Sequence, residues 1–141
     1  IAAIHVMLNE DLPRQAEVKG EFLLKQLRAL QALHPDIIKQ VHGKGLLLGL
    51  EFFDKHVGYK LAAGLFKRGV LVAGTLLGAR TVRIEPALNI PQALLEQMLE
   101  RLADTLAQLD RELEKGQRAD AVEEQRAESA ALAAGGAVTG S

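Results

Sequence analysis

At 141 residues, with 48% hydrophobic but only 4% aromatic side chains, the chain suits one domain with a core of Leu, Val, Ile and Ala. A formal net charge of -1, with Lys and Arg scattered along the chain, argues against a nucleic-acid binder, which needs a basic face. The lack of cysteine excludes disulfides and thiolate metal sites and fits a reducing, cytoplasmic setting, and no apolar run approaches the roughly 18 residues that span a bilayer.

Ile1 to Leu8 reads as the end of a helix, with Ile1, Ile4 and Leu8 on one face. An opening inside an apolar turn, with neither an initiator Met nor a basic-then-apolar leader, suggests an excised domain. Asn9-Glu10-Asp11 then offers capping side chains, and Pro13 suits the first turn of a second helix from Leu12 to about Leu33. Leu23, Leu27 and Leu30, joined by Leu24 and Leu33, form its apolar stripe. His34-Pro35-Asp36 stops it, because proline disfavours helical geometry in the residue before it. Gly20 costs that helix about 1 kcal/mol relative to Ala, which a close approach of another backbone would explain.

Two strands follow, about Ile37–His42 and Leu46–Phe53, hinged at Gly43-Lys44-Gly45. The second is apolar at nearly every position, so both its faces are expected to be covered. Val57 to Arg68 reads as a short helix with Leu61, Leu65 and Phe66 inward and Gly69 as its stop. Val70–Ala73 and Thr81–Glu85 are the next strands, around a glycine-bounded loop from Gly74 to Arg80. Pro91 opens a last helix to about Lys115, ended by Gly116.

The order α-α-β-β-α-β-β-α implies an α+β fold: a small antiparallel-type sheet with helices packed on it. Residues 1–115 form the expected domain. Residues 116–141 are a low-complexity tail, too poor in large apolar side chains to offset ordering entropy and therefore mobile or weakly helical, with Gly135, Gly136 and Gly140 partly linker.

Few residues suggest chemistry of their own. His5, His34, His42 and His56 show no metal-ligand spacing, so no metal site is expected. Serine occurs only at Ser129 and Ser141, which leaves no credible nucleophile. Glu51 and Glu85 read as partners in structural salt bridges rather than an acid/base pair. Alternation puts Val82 and Ile84 on one side of their strand and Thr81, Arg83 and Glu85 on the other. Leu95, Leu99, Leu102, Leu106, Leu109 and Leu113 alternate by four and three. That is either an inward face or the seam of a helical interaction and dimerisation module.

The stretch Val41-His42-Gly43-Lys44-Gly45-Leu46-Leu47-Leu48-Gly49-Leu50-Glu51-Phe52 is followed, after a helix, by Thr81-Val82-Arg83-Ile84-Glu85-Pro86-Ala87-Leu88. Together they resemble the small C-terminal domain of class-III pyridoxal-phosphate aminotransferases, over about residues 1–113. Val57-Gly58-Tyr59-Lys60 and Val70-Leu71-Val72-Ala73-Gly74-Thr75 narrow the likeness toward the putrescine branch of that family, with an ornithine or acetylornithine type as the alternative. The resemblance implies a cytoplasmic homodimer that moves an amino group from a terminal amine, putrescine in polyamine catabolism, to 2-oxoglutarate. The cofactor is pyridoxal 5'-phosphate. Its Schiff-base lysine and binding residues belong to the large domain, so the chain alone is expected to be inactive and to carry no catalytic or cofactor-binding residue. Lys39, Lys44 and Lys60 are not candidates. Arg83 matches the family's arginine that holds a substrate carboxylate, and a planar guanidinium suits that task through two parallel charge-assisted bonds. Two positions depart from the family: Ala87 stands where a second proline is usual, and His42 stands where the first motif carries arginine. A histidine cannot give a guanidinium's two parallel bonds, whatever role that arginine has in relatives.

Overall fold

The computed structural model describes residues 1–75 and 78–135. Its elements are α1 (Ala2–Asn9), α2 (Leu12–Leu33), β1 (Ile38–Lys44), β2 (Leu47–Phe52), α3 (Lys55–Lys67), β3 (Ala73–Thr75), β4 (Gly78–Ile84) and α4 (Gln92–Gly135). The order is the one expected, and the four strands form one antiparallel sheet in the order β1-β2-β4-β3. Residues 1–109 form one compact unit and 110–141 a second.

In the first unit α2 packs on β1 and β2, and α3 on β2, β3 and β4. Leu23 and Leu27 bury fully from α2, and Leu61 and Leu65 from α3. Leu30 and Leu24 are half-buried. Leu33 and Phe66, expected to face inward, are exposed. Phe66 is about 100° around the helix from Leu65 and cannot share its direction, while Leu33 lies in the last turn of its helix.

The caps differ in kind. Asp11 takes a left-handed conformation (φ 48) and gives no side-chain cap to α2. The expected cap from Asn9-Glu10-Asp11 is therefore not made, and Gln15 Nε2 instead donates to the Glu10 carbonyl at the end of α1, at 2.7 Å. In α3, the Asp54 carboxylate accepts from the His56 backbone N–H at 2.8 Å. The α3 helix ends at Gly69 (φ 75), with the Gly69 N–H on Phe66 and the Val70 N–H on Leu65, the double bond pattern that satisfies the last carbonyls. α2 stops at His34-Pro35, as expected.

Gly20 finds the close neighbour its sequence position suggested. A Cβ there would lie 2.2 Å from the Gly45 carbonyl oxygen, so α2 and the β1–β2 turn approach backbone to backbone. That turn is Gly45-Leu46, because Lys44 already pairs with Leu47. Gly43 and Lys44 extend β1 instead of forming the expected hinge.

The helices cover β2 on one face only, where Leu48, Leu50 and Phe52 are buried; on the opposite face Leu47 is exposed, Glu51 half-buried and Gly49 buried. The expectation of two covered faces rested on the near-continuous apolar run. In fact Leu46 turns inward from the hairpin and Leu47 does not. Strand β3 starts at Ala73 rather than Val70, and Gly74, Thr75 and residues 78–80 belong to strands rather than to the expected loop. Residues 76–77 of that loop lie outside the described residues.

Leu95, Leu102 and Leu106 of α4 are buried and Leu109 nearly so. Within the first unit, over 95–109, the seam is thus an inward face, set close to α3: a Cβ on Gly64 would meet Thr105 Cγ2 at 2.7 Å, and Arg68 Nη2 bonds Gln108 Oε1 at 2.8 Å. Thr105 is buried and donates to the Arg101 carbonyl at 2.6 Å. In the second unit, helix continues to Gly135. Gly116 does not end it, since a single interior glycine costs only about 1 kcal/mol against strong helix formers on both sides. Residues 114–133 are exposed, and 136–141 lie outside the described residues.

Candidate functional site: the open face of the sheet

Antiparallel pairing puts directly opposed residues on one face. Val82 and Ile84 are buried, so Thr81 and Arg83 point to the other face, with Arg83 and Glu85 exposed, as the alternation predicted. Gly49 of β2 pairs with both His42 of β1 and Arg83 of β4, and Arg83 pairs on its far side with Ala73 of β3. His42, Gly49, Arg83 and Ala73 therefore form one row across all four strands, on the face that the helices leave open.

Next to this row stands Glu51, paired with Gln40 and Thr81. Lys39 Nζ lies 2.7 Å from Glu51 Oε1. That hydrogen bond holds the Glu51 carboxyl below its ordinary value of 4.5, against the opposing effect of burial and with weaker attractions from the charges of Lys39, His42 and Arg80. Lys39 reaches Glu51 because β1 is bulged at this point: the register shifts between Ile38 and Gln40, and Gln31 of α2 bonds the Lys39 carbonyl at 3.0 Å.

Arg83 has a looser partner. Its Nη2 is 3.4 Å from Glu85 Oε1, and both side chains are nearly half exposed. Such a pair contributes little to stability and leaves most of the guanidinium's donors free to bind something else. Glu51 and Glu85 are thus both in ion pairs, as the sequence suggested. Beyond Arg83 a cleft of about 590 Å³ opens between the segment before β3, the end of β4 and the first turns of α4. Leu71, Leu94 and Met98 line it with Arg83, Glu85 and Arg101. Sequence reading found Arg83 but missed the Gly49 gap and Arg101, since neither is visible without the register of β2 on β4 and the docking of α4.

Among the described residues no group of three His, Cys, Asp or Glu is close enough to hold a metal ion, and no helix is long and apolar enough to cross a membrane.

A four-stranded antiparallel sheet with helices on one face and, on the other, a row carrying His42 and Arg83 makes a small domain with one face open. A family model for aminotransferase class-III matches residues 1–106, and the chain belongs to that family. Its structure is similar to lysine aminotransferase from M. tuberculosis, at 26% identity and a TM-score of 0.70, over 74% of this chain and 24% of that one. Ornithine aminotransferase from Plasmodium yoelii matches at 28% identity and a TM-score of 0.67, over 74% and 27% of the two chains. Acetylornithine aminotransferase from Elizabethkingia anophelis matches at 26% and 0.69, over 76% and 28%. The chain therefore spans about a quarter of the length of these relatives.

Class-III aminotransferases depend on pyridoxal phosphate, and two lysines and the glycine pair of this chain already have other engagements. Lys39 is engaged by Glu51, and Lys19 bonds Gln15 Oε1 at 2.9 Å and the Leu88 carbonyl at 3.4 Å. Gly43 and Gly45 do not cradle a phosphate: Gly45 backs onto Gly20, a Cβ on Gly43 would lie 2.3 Å from the Leu47 carbonyl, and a strand rather than a helix N-terminus follows them.

Proposed function

We propose that the chain is the C-terminal small domain of a class-III aminotransferase, within residues 1–115, and that Arg83 holds the carboxylate of the 2-oxo acid acceptor. The observation that carries this reading is the placement of Arg83. It stands at the middle of the open face beside a residue without a side chain, held only by a loose, exposed ion pair. The remaining machinery, the Schiff-base lysine and the phosphate-binding groups, is assigned to a large domain of the same polypeptide. The working enzyme is read as a cytoplasmic homodimer, with 116–135 as an appended helical segment.

2-Oxoglutarate is the acceptor that best uses such a guanidinium, and putrescine is the proposed donor. An ornithine or acetylornithine type is the second reading, favoured by the two similar structures of those kinds. The interaction-module alternative loses its basis, because Leu95, Leu102 and Leu106 are already buried against this chain's own fold. The isolated chain should form no stoichiometric, borohydride-trapped adduct with pyridoxal phosphate, and trapping at one lysine would overturn the assignment.

The full-length enzyme provides the direct test. Arg83→Ala should lower kcat/KM for the 2-oxo acid by one to two decades, the effect of losing about 1.5–3 kcal/mol of a charge-assisted pair. A diamine has no carboxylate, so its half-reaction should change far less, and Arg83→Lys should restore only part of the loss. Following the cofactor spectrum in single turnovers separates the two half-reactions. Equal damage to both would make Arg83 structural, and no damage to either would make it a solvated strand residue.

A further inference from the structure

The row that holds Arg83 contains a second polar side chain on the same face of the sheet. His42 and Arg83 flank Gly49 on neighbouring strands, so their Cα atoms are about 10 Å apart. The imidazole does not stand upright on β1. A Cβ placed on Gly49 would lie 2.7 Å from His42 Nε2 and 3.1 Å from its Cε1, so the ring lies across β2 with its Nε2 edge over the middle of the row. The lack of a side chain at Gly49 is what allows this.

We infer that His42 and Arg83 together form the carboxylate site, with the bare Gly49 as the floor on which the imidazole lies. The inference rests on the reading of Arg83 given above and adds a residue that fixes specificity. The guanidinium offers two parallel bonds and the imidazole Nε2–H a third from the opposite side. The surrounding charges suit an anion. β1 contributes Lys39 and Lys44 and β4 contributes Arg80, against Glu51 of β2 and Glu85 just beyond β4. Glu51 is already engaged by Lys39 at 2.7 Å, and Glu85 holds Arg83 only at 3.4 Å, so an incoming carboxylate displaces a weak partner rather than a strong one. The ligand class is a dicarboxylate, with one carboxylate gripped here and the rest of the molecule left outside the grip. The histidine at the motif's arginine position and the glycine at 49 are then two halves of one device: a flat ring needs a bare floor.

Titrating the 141-residue chain with glutarate, and following the His42 ring and Arg83 guanidinium signals by NMR, tests this without the rest of the enzyme. Both signals should shift with one common Kd, and Arg83→Ala should abolish the shift at His42. His42→Ala should weaken binding about fivefold, the factor one hydrogen bond is worth, and His42→Gln, which keeps a donor, should recover part of it. Gly49→Ala meets only the movable end of the ring, so it should fold and yet weaken binding as much as His42→Ala. The double variant should lose no more than either single one. Independent, multiplying losses would overturn the proposed device. If Arg83 shifts alone and His42→Ala leaves Kd unchanged, His42 is not part of the site while the reading of Arg83 stands. If neither signal moves, both fail.

Discussion

Val41, Leu50 and Val82 stand in one paired row of the sheet and are all but sealed from solvent, while one residue along, on the opposite face, His42, Gly49 and Arg83 form an equally regular row that the helices do not cover. The same three strands and the same hydrogen bonds carry both. The inner row is a matter of volume and apolar surface, and many combinations of aliphatic residues would fill it. The outer row buries no large apolar side chain, and under the proposed function its residue types serve binding. On the proposed function, stability and chemistry separate by face, which gives the comparison several points at which it can be broken.

The largest expected effect lies on the inner face. Leu50 is fully buried, so Leu50→Ala should cost about 2–5 kcal/mol, read as a lower urea midpoint followed by circular dichroism. A loss below about 1 kcal/mol would mean that the inner row is not the core. Next comes the contact of α2 with the hairpin turn. Gly20→Ala drives a methyl group into the Gly45 backbone, which cannot swing aside as a side chain can, and should cost about 1–3 kcal/mol by the same measurement. Asp54→Ala removes the only side-chain cap found on α1, α2 or α3 and should cost about 1 kcal/mol.

The smallest effect belongs to the open face and to pH. Because Lys39 depresses the Glu51 pKa in the folded chain, the pair's contribution is fully present above the ordinary carboxylate value of 4.5. It is lost as pH falls from there through the lower folded value. Lys39→Met should flatten that part of the pH–stability curve and leave the neutral plateau nearly unchanged, since exposed pairs contribute little. A variant whose stability also drops at neutral pH would show that Lys39 does more than pair.

Much of the inner face was legible in the sequence. Helix α2 runs over the stretch bounded by Pro13 and His34-Pro35, and the alternation through Val82 and Ile84 placed Arg83 outward. The misses have local causes. Phe66 and Leu33 are apolar but lie off the buried stripe, and apolar character alone does not give direction. The turn of the first hairpin moved to Gly45-Leu46 because both Gly43 and Gly45 can adopt positive φ, and the pairing of Lys44 with Leu47 selects between them. Gly116 read as a stop, yet the helix formers around it carry the helix through. Gly20 announced a close contact but not its partner. The outer row was invisible as a row: His42, Gly49 and Arg83 come from three strands, and only their register brings them together.

The central claim is that Arg83 serves a ligand rather than the fold, and the clearest test measures both on one substitution. For Arg83→Ala, urea unfolding of the 141-residue chain and acceptor kcat/KM of the full-length enzyme are compared. Stability should stay within about 0.5 kcal/mol while acceptor kcat/KM falls by one to two decades, as about 1.5–3 kcal/mol of lost pairing requires. A stability loss large enough to account for the kinetic one, or an unchanged acceptor reaction, would contradict the account.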